Sequence, residues 1–383
     1  MPNRAIILSG SLGSGHDVIA EAVVGSLARL GWESRTLDCM RLLGRRAGQA
    51  GDWVFRRLTA MPGVYDGLHF AHFRPGSRLA MAMDASATSR LVPALHAELR
   101  REPAGLMIAV FATGASAAAR LAEPAGGCRR VVLCADAVPH SLWVRPGIDL
   151  FLVTSAAAAA SVRRYVPRAQ VRIVPPPVRS AFHHRVPQAA ARQAFGVPAY
   201  APCVLLMGGG WGLGPLEQAA RALADAGVHV LAVAGRNRHL ADRLAALARS
   251  SPRVHPFGFT ERIAELMNAS DVVVTLPGAT TCAEARAVGR RLVLLDAMPG
   301  HGRENLQHEL ELGGAGVCNQ RPHDVAASVL AALNLARRRL PSGGRTAGEW
   351  DQAFAAALAS IGLQPGAPGN RQTAQAYKEA GHR

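Results

Sequence analysis

The chain has 383 residues and a formal charge of +16, long enough for two domains with full cores. It contains no run of about eighteen apolar residues, the length of a membrane span; the longest candidate, 106–119, holds Thr113 and Gly114 and stops at Arg120. The charge excess is almost all arginine, Lys378 being the only lysine. That balance suits an anionic surface, acidic lipid or nucleic acid, and a coding bias toward arginine would give the same count. Aromatic residues are only 5%, and no RRM, zinc-finger or helix-turn-helix pattern is present, which argues against nucleic acid. The cysteines at 39, 128, 134, 203, 282 and 318 form no CxxC pair; this favours reduced thiols in a cytoplasm and no metal site. The first residues enter a strand at once, against a signal peptide.

In chain order, residues 5–9 read as a strand, then the loop Gly10-Ser-Leu-Gly13-Ser-Gly15 and His16, then a helix over 18–30 stopped by Gly31. The loop lacks the Gly-Lys-Ser/Thr of a P-loop and the third glycine of a dinucleotide fingerprint. Residues 40–101 are the least regular. They mix ten arginines and four acids with Trp53, Phe55, Leu58, Met61, Tyr65, Leu68, Phe70 and Phe73. Such a mixture is either an interfacial surface, in which Trp53, Phe55, Arg56 and Arg57 would face lipid, or an amphipathic helical pair with a solvated basic face. Strands are expected at 106–111, 131–135 and 151–154, with a helix at 156–166. Asp136 falls at a strand's carboxyl end, four residues before His140. Val174-Pro-Pro-Pro-Val-Arg179 stiffens a junction.

A second domain begins near Ala201. A strand at 204–207 runs into Gly208-Gly-Gly-Trp-Gly-Leu-Gly214, followed by a helix to Gly227, a strand at 228–234 with Gly235-Arg-Asn237, and Gly258-Phe259-Thr260. Residues 270–305 form a strand–turn–helix–strand–turn–helix unit: strand 272–276, Pro277-Gly278, a helix that Thr280 and Thr281 can cap and Gly289 stops, strand 291–296, and a helix from near Glu304. Two helix N-termini then open at one edge of a parallel sheet, where ligands of α/β proteins bind. The amides around 278–281 favour a phosphate. Glu284, one turn in, can accept two hydrogen bonds from a ribose diol, or it is a solvated first-turn acid. Helices at 326–340 and 348–361 follow, the last expected to pack back across both domains, and 364–383 reads as a mobile tail.

PGATTCAEA followed by PGHGREN, VLLMGGGWGLGPLEQAARAL, GSGHDVIAEAV and the Asp136…His140 segment together resemble the two-domain glycosyltransferases that include monogalactosyldiacylglycerol synthase, processive diacylglycerol glucosyltransferase and the MurG-type transferases. The resemblance implies an α/β, GT-B-like architecture, two doubly wound Rossmann-like domains facing a cleft. Residues 1–180 would bind acceptor, with 41–101 as the membrane and acceptor region, 181–200 the linker, 201–340 the UDP-sugar domain, and 341–383 a helix and tail. It implies an inverting, metal-independent transfer of a hexose from UDP-sugar, a co-substrate with no further cofactor, to a lipid hydroxyl. His16 would be the base, with Asp136 as rival or orienting group, and Gly15 and His140 beside the acceptor. The donor would meet Gly209, Gly210, Asn237, Phe259, Thr260, Gly278, Thr280, Thr281, Glu284 and Arg179, the last on the diphosphate. His301, Gly302, Glu304 and Asn305 would read the sugar.

Some positions depart from the family. Trp211 replaces an acid, His301 and Gly302 replace a polar pair, and Ala112-Thr113-Gly114 stands where the family has Ser-His-Pro. Donor sugar and acceptor class therefore do not carry over. A peripheral site on the inner face of the plasma membrane is implied for a lipid acceptor. The alternatives are a soluble acceptor, a UDP-sugar epimerase on a similar fold, or a non-catalytic binding protein.

Overall fold

The computed structural model describes residues 3–10, 15–44, 48, 53–54, 57–58, 61–122, 127–184, 186–296, 298–319, 321–336 and 347–364. Loop residues 11–14, the candidates Phe55 and Arg56, and the expected tail from 365 onward lie outside them.

Two parallel six-stranded sheets with interleaved helices make the frame. The first contains β1 (Arg4–Ser9), β2 (Glu33–Asp38), β3 (Leu106–Ala109), β4 (Arg129–Cys134), β5 (Leu150–Val153) and β6 (Val171–Ile173), in the order β2-β1-β3-β4-β5-β6. Its helices are α1 (Gly15–Arg29), α2 (Cys39–Leu42), α3 (Pro62–Leu68) with a π-helical turn at His69–Phe73, α4 (Arg78–Arg101), α5 (Ala112–Arg120) and α6 (Ala156–Tyr165). The second contains β7 (Cys203–Met207), β8 (His229–Val233), β9 (Val254–Phe257), β10 (Val272–Thr275), β11 (Arg291–Leu295) and β12 (Ala315–Cys318), in the order β12-β11-β10-β7-β8-β9. Around it lie α7 (Gln188–Gln193), α8 (Leu216–Asp225), α9 (Arg238–Ser250), α10 (Ile263–Ala269), α11 (Ala279–Val288), α12 (His301–Glu311) and α13 (Pro322–Ala336), and α14 (Ala347–Ala359) is the last helix among the described residues.

The central strands are buried on both faces, which is why Ile6–Leu8, Ile108, Leu205 and Val273 carry no alternating polar residues. Strand order reverses between β1 and β3 in one sheet and between β7 and β10 in the other. At such a point neighbouring crossovers leave in opposite directions and open a crevice beyond the strands' carboxyl ends. Both crevices face the seam between the sheets.

Three expectations are corrected. Residues 40–101 are more regular than their composition implies: α4 alone runs 24 residues, capped by Ser77. Its stripe Ala80, Asp84, Thr88, Leu91, Leu95, Leu99 is buried, and Asp84 accepts from Arg120, Arg145 and Ser116. Thr280 and Thr281 do not cap α11; its N-cap is Gly278, with no side-chain cap among the described residues. The last helix of the unit starts at His301, not Glu304, because Gly300 turns the chain at φ +64.

Helix α14 does return to the other domain. Trp350, Phe354, Ala357 and Leu358 join Ile7, Ile19, Val23 and Leu27 in one apolar cluster over β1 and α1. Trp350 Nε1 donates to Ser26 Oγ at 2.7 Å and Arg29 pairs with Asp351 at 2.8 Å. Helix α14 thus completes the core around β1 and α1. Replacing the fully buried Phe354 by Ala is expected to destabilise the protein by about 3–5 kcal/mol through loss of transfer free energy and the cavity left behind, measured by denaturant unfolding.

Candidate functional site

The site is best built from β3. Val110 follows that strand directly, and its carbonyl lies 2.7 Å from His16 Nδ1. A carbonyl only accepts, so Nδ1 carries the hydrogen and Nε2 holds the free lone pair. His16 is the second residue of α1, at the first sheet's reversal point, with Phe111 and Trp143 beside its ring. Burial lowers its pKa below the ordinary 6.5, against opposing attraction from Asp136. His16 is therefore a neutral imidazole with its basic nitrogen available.

Asp136 lies beyond β4. Its Oδ2 accepts from Trp143 Nε1 at 3.2 Å, and the amide of Asn305 donates to the carboxylate. The same amide's oxygen accepts from Ala137 N at 2.9 Å, so Asn305 of α12 straddles the first domain's loop. Burial by itself raises the Asp136 carboxyl, but attraction to His301, His16 and His140 together with the Asn305 bond brings it below the usual range. His140 is pushed down to about 3 by burial, and burial also lowers His301. The cluster is one carboxylate among neutral imidazoles. Among the described residues no group of three or more His, Cys, Asp or Glu has an arrangement that could hold a metal ion.

Across the seam, the uncapped N-terminus of α11 lies at the second sheet's reversal point, beyond β10. A Cβ built on Gly15 would lie 3.5 Å from Thr280 Oγ1, so the starts of α1 and α11 meet. Thr281 follows in the same first turn. Glu284 is 3% exposed, which rules out a solvated acid, and it accepts from Arg179 Nε at 2.8 Å. Burial raises its pKa while Arg179 opposes that rise. Arg179, expected on a diphosphate, thus reaches the ribose candidate instead, with its guanidinium over the Phe182 ring.

The remaining donor candidates divide by role. Gly209 and Gly210 form a turn packed backbone to backbone on Gly235: a Cβ there would lie 2.7 Å from Gly210 O. Asn237 caps α9 through Leu240 N at 3.0 Å, and Thr260 accepts from Arg262 N at 3.1 Å. Phe259 is 58% exposed under the Arg236 guanidinium, so it is a surface platform and not a core residue.

The sugar-loop candidates are held by the first domain. Tyr65 OH lies 3.3 Å from His301 Nδ1. Both oxygens of Glu304 are occupied, by His69 Nε2 at 3.2 Å and Arg74 Nε at 2.9 Å. Gly302 is buried against Met298. Tyr65, Asp66, His69, Arg74, Val110 and Trp143 were not among the sequence candidates as site residues. Asp66, one of few acids in a basic stretch and one residue after Tyr65, was the available clue. Trp53 stands 60% exposed with Arg57 over its ring.

With this geometry in hand, residues 205–333 match the model of the glycosyltransferase family 28 C-terminal domain. The second sheet belongs to a glycosyltransferase family 28 C-terminal domain. Over 351 residues the chain is 26% identical to a probable chloroplastic monogalactosyldiacylglycerol synthase of Glycine max, covering 86% of this chain and 64% of that protein. It is 23% identical over 352 residues to a processive diacylglycerol beta-glucosyltransferase of Bacillus subtilis, covering 86% and 87%. The chain is a distant homologue of both groups, and it spans just under two thirds of the soybean relative. Arabidopsis thaliana UGT89C1 complexed with UDP-L-rhamnose superposes with a TM-score of 0.63 at 12% identity, covering 94% of this chain and 99% of that one. The architecture is GT-B.

In the family 28 domain, Glu284 depends on a cation from the Val174–Arg179 junction. Arg179→Met leaves a buried carboxylate without its partner and is expected to cost about 3–5 kcal/mol, whereas Glu284→Gln, which keeps a hydrogen-bond acceptor, costs less; thermal unfolding of the two variants gives the order.

Proposed function

We propose that the chain is an inverting glycosyltransferase that moves a hexose from a UDP-sugar to the hydroxyl of a lipid acceptor such as diacylglycerol. One observation carries this: a neutral imidazole with a free Nε2 stands at one sheet's reversal point, opposite an uncapped helix N-terminus at the other's. A base for an acceptor hydroxyl and an amide cradle for a phosphate leaving group thus face each other across one seam.

The acceptor O–H gives its proton to His16 Nε2 as its oxygen bonds to the anomeric carbon. On the opposite face the bond from that carbon to the diphosphate oxygen breaks, and UDP leaves with the electron pair. The α11 amides, aimed at the developing anion, stabilise it without reorganising. Asp136 stabilises the imidazolium through its charge, while the Val110 carbonyl holds the ring. Glu284 takes the ribose hydroxyls as Arg179 turns from it to the diphosphate, and Phe259 stacks on the base.

A lipid acceptor is supported by the surface as well as by the homologues. Trp53, Val54, Met61, Val64, Phe70, Leu79 and Met83 are exposed apolar residues of the first domain, clustered between 53 and 83 among arginines. Apolar side chains rimmed by cations fit an anionic bilayer surface, each arginine contributing about 1 kcal/mol near the headgroups. Among the described residues no helix is long and apolar enough to cross a membrane.

Incubation with a panel of UDP-sugars and a total lipid extract should yield a new glycolipid by mass spectrometry. His16→Ala should lower kcat on the order of 10²–10⁴-fold while UDP uptake by calorimetry persists. Because His16 titrates below 6.5 and must be neutral to act, activity should survive to a pH below that value before its acid limb falls. Asp136→Asn removes the charge that raises the imidazole's pKa, so the limb should move lower still. The chain should also sediment with anionic vesicles and not with neutral ones; a transferase of soluble acceptors would sediment with neither kind.

A further inference from the structure

Segment 62–74 of the acceptor domain reaches across the seam and grips the start of α12. Asp66 Oδ1 accepts from Gly300 N at 2.6 Å, and its Oδ2 accepts from Arg303 Nε at 3.0 Å. The N-cap of α12 has no side-chain cap of its own, so the acid from the other domain supplies the acceptor that this end lacks. Gly300 holds φ +64, and a methyl there would run into the Tyr65 ring, so the loop fits under Tyr65 only as glycine. One turn further along, His69 and Arg74 take both oxygens of Glu304. His69 is 0% exposed, lies in a π-helical turn, and its Nδ1 has no hydrogen-bond partner among the described residues. Such turns and such orphan atoms are costly and concentrate at functional sites. The Arg74 backbone carbonyl in turn accepts from Tyr165 OH, which ties the segment to α6.

We infer that Asp66 is a positioning residue and segment 62–74 an interdomain clamp that sets the α12 helix start, with His301 and Asn305, against Asp136; for catalysis this rests on the transferase reading above. The physical logic is division of labour across the seam. The donor's nucleotide half is held within the second domain by α11, Glu284 and Phe259, none of which the clamp touches. Asn305 and His301 reach Asp136 only when α12 is seated in the first domain, and Asp66 seats it. The acceptor domain thereby completes the sugar end of the site on closure. Misplacing such groups by about 1 Å can cost on the order of 10²-fold in rate.

The test uses the full chain with Asp66→Ala, Asp66→Glu and, on the exposed partner side where folding is least at risk, Arg303→Ala. UDP uptake by calorimetry, kcat and KM for the UDP-sugar, thermal unfolding and small-angle X-ray scattering are read together. The expected result for Asp66→Ala is a kcat lower by about 10- to 100-fold, with UDP affinity and KM within about twofold and a larger radius of gyration. Asp66→Glu should restore part of the rate, and Arg303→Ala should fall between. Wild-type kcat and an unchanged radius of gyration in Asp66→Ala would overturn the clamp, as would a rate loss matched by loss of UDP uptake and of thermal stability, which marks a purely structural residue. If the wild-type chain takes up no UDP, the transferase reading fails, and scattering alone then decides whether Asp66 holds the domains closed.

Discussion

Val110 belongs to no strand, yet its carbonyl at the end of β3 determines what His16 can do. The hydrogen bond from Nδ1 selects the tautomer, and the tautomer leaves Nε2 as the basic atom. That bond exists because β1 and β3 are neighbours at the reversal of strand order, so the loop after one and the residue after the other share a crevice. The second sheet repeats the device with β7 and β10, and there the crevice is filled by the bare start of α11. The rest of the molecule keeps these two crevices opposed. Helix α14 and the Val174–Arg179 junction fasten the domains at one side, and segment 62–74 fastens them at the other.

The electrostatics follow from the same closure. Four imidazoles, those of His16, His69, His140 and His301, gather near Asp136. Desolvation lowers the pKa of His16, His140 and His301, and neighbouring cations would repel one another, so these three stay neutral around one ionised, hydrogen-bonded carboxylate. The ring nitrogens then differ by their partners. His16 donates from Nδ1, whereas His140 Nδ1 accepts from Leu142 N at 3.3 Å. Glu284 is held differently again, as a buried carboxylate matched to the Arg179 guanidinium.

Arginine abundance acquires two meanings once positions are known. Arg120 and Arg145 converge on buried Asp84, Arg192 on Asp271, and Arg286 on Glu309. These are structural pairs inside the fold. Arg57, over exposed Trp53, belongs to the outer surface. Net charge by itself does not separate the two.

Much of the frame was legible in the chain. The unbroken aliphatic runs marked strands buried on both faces, Gly289 marked the end of α11, and the spacing from Gly278 to Glu284 placed that acid one turn inside a helix. These are local properties, governed by backbone conformation and side-chain period, and a sequence states them directly. Partnership between distant residues is different. Nothing near Arg179 announces Glu284, nothing in PGVYDGLHFAHFR announces Gly300 and Arg303, and Thr280 looked like a cap until the meeting of α1 and α11 gave that end another neighbour. Hydrogen-bond partners, tautomers and burial depend on which strands lie side by side and on how the two sheets face. Those distances are set by the packing of the whole chain, and only the tertiary structure decided them.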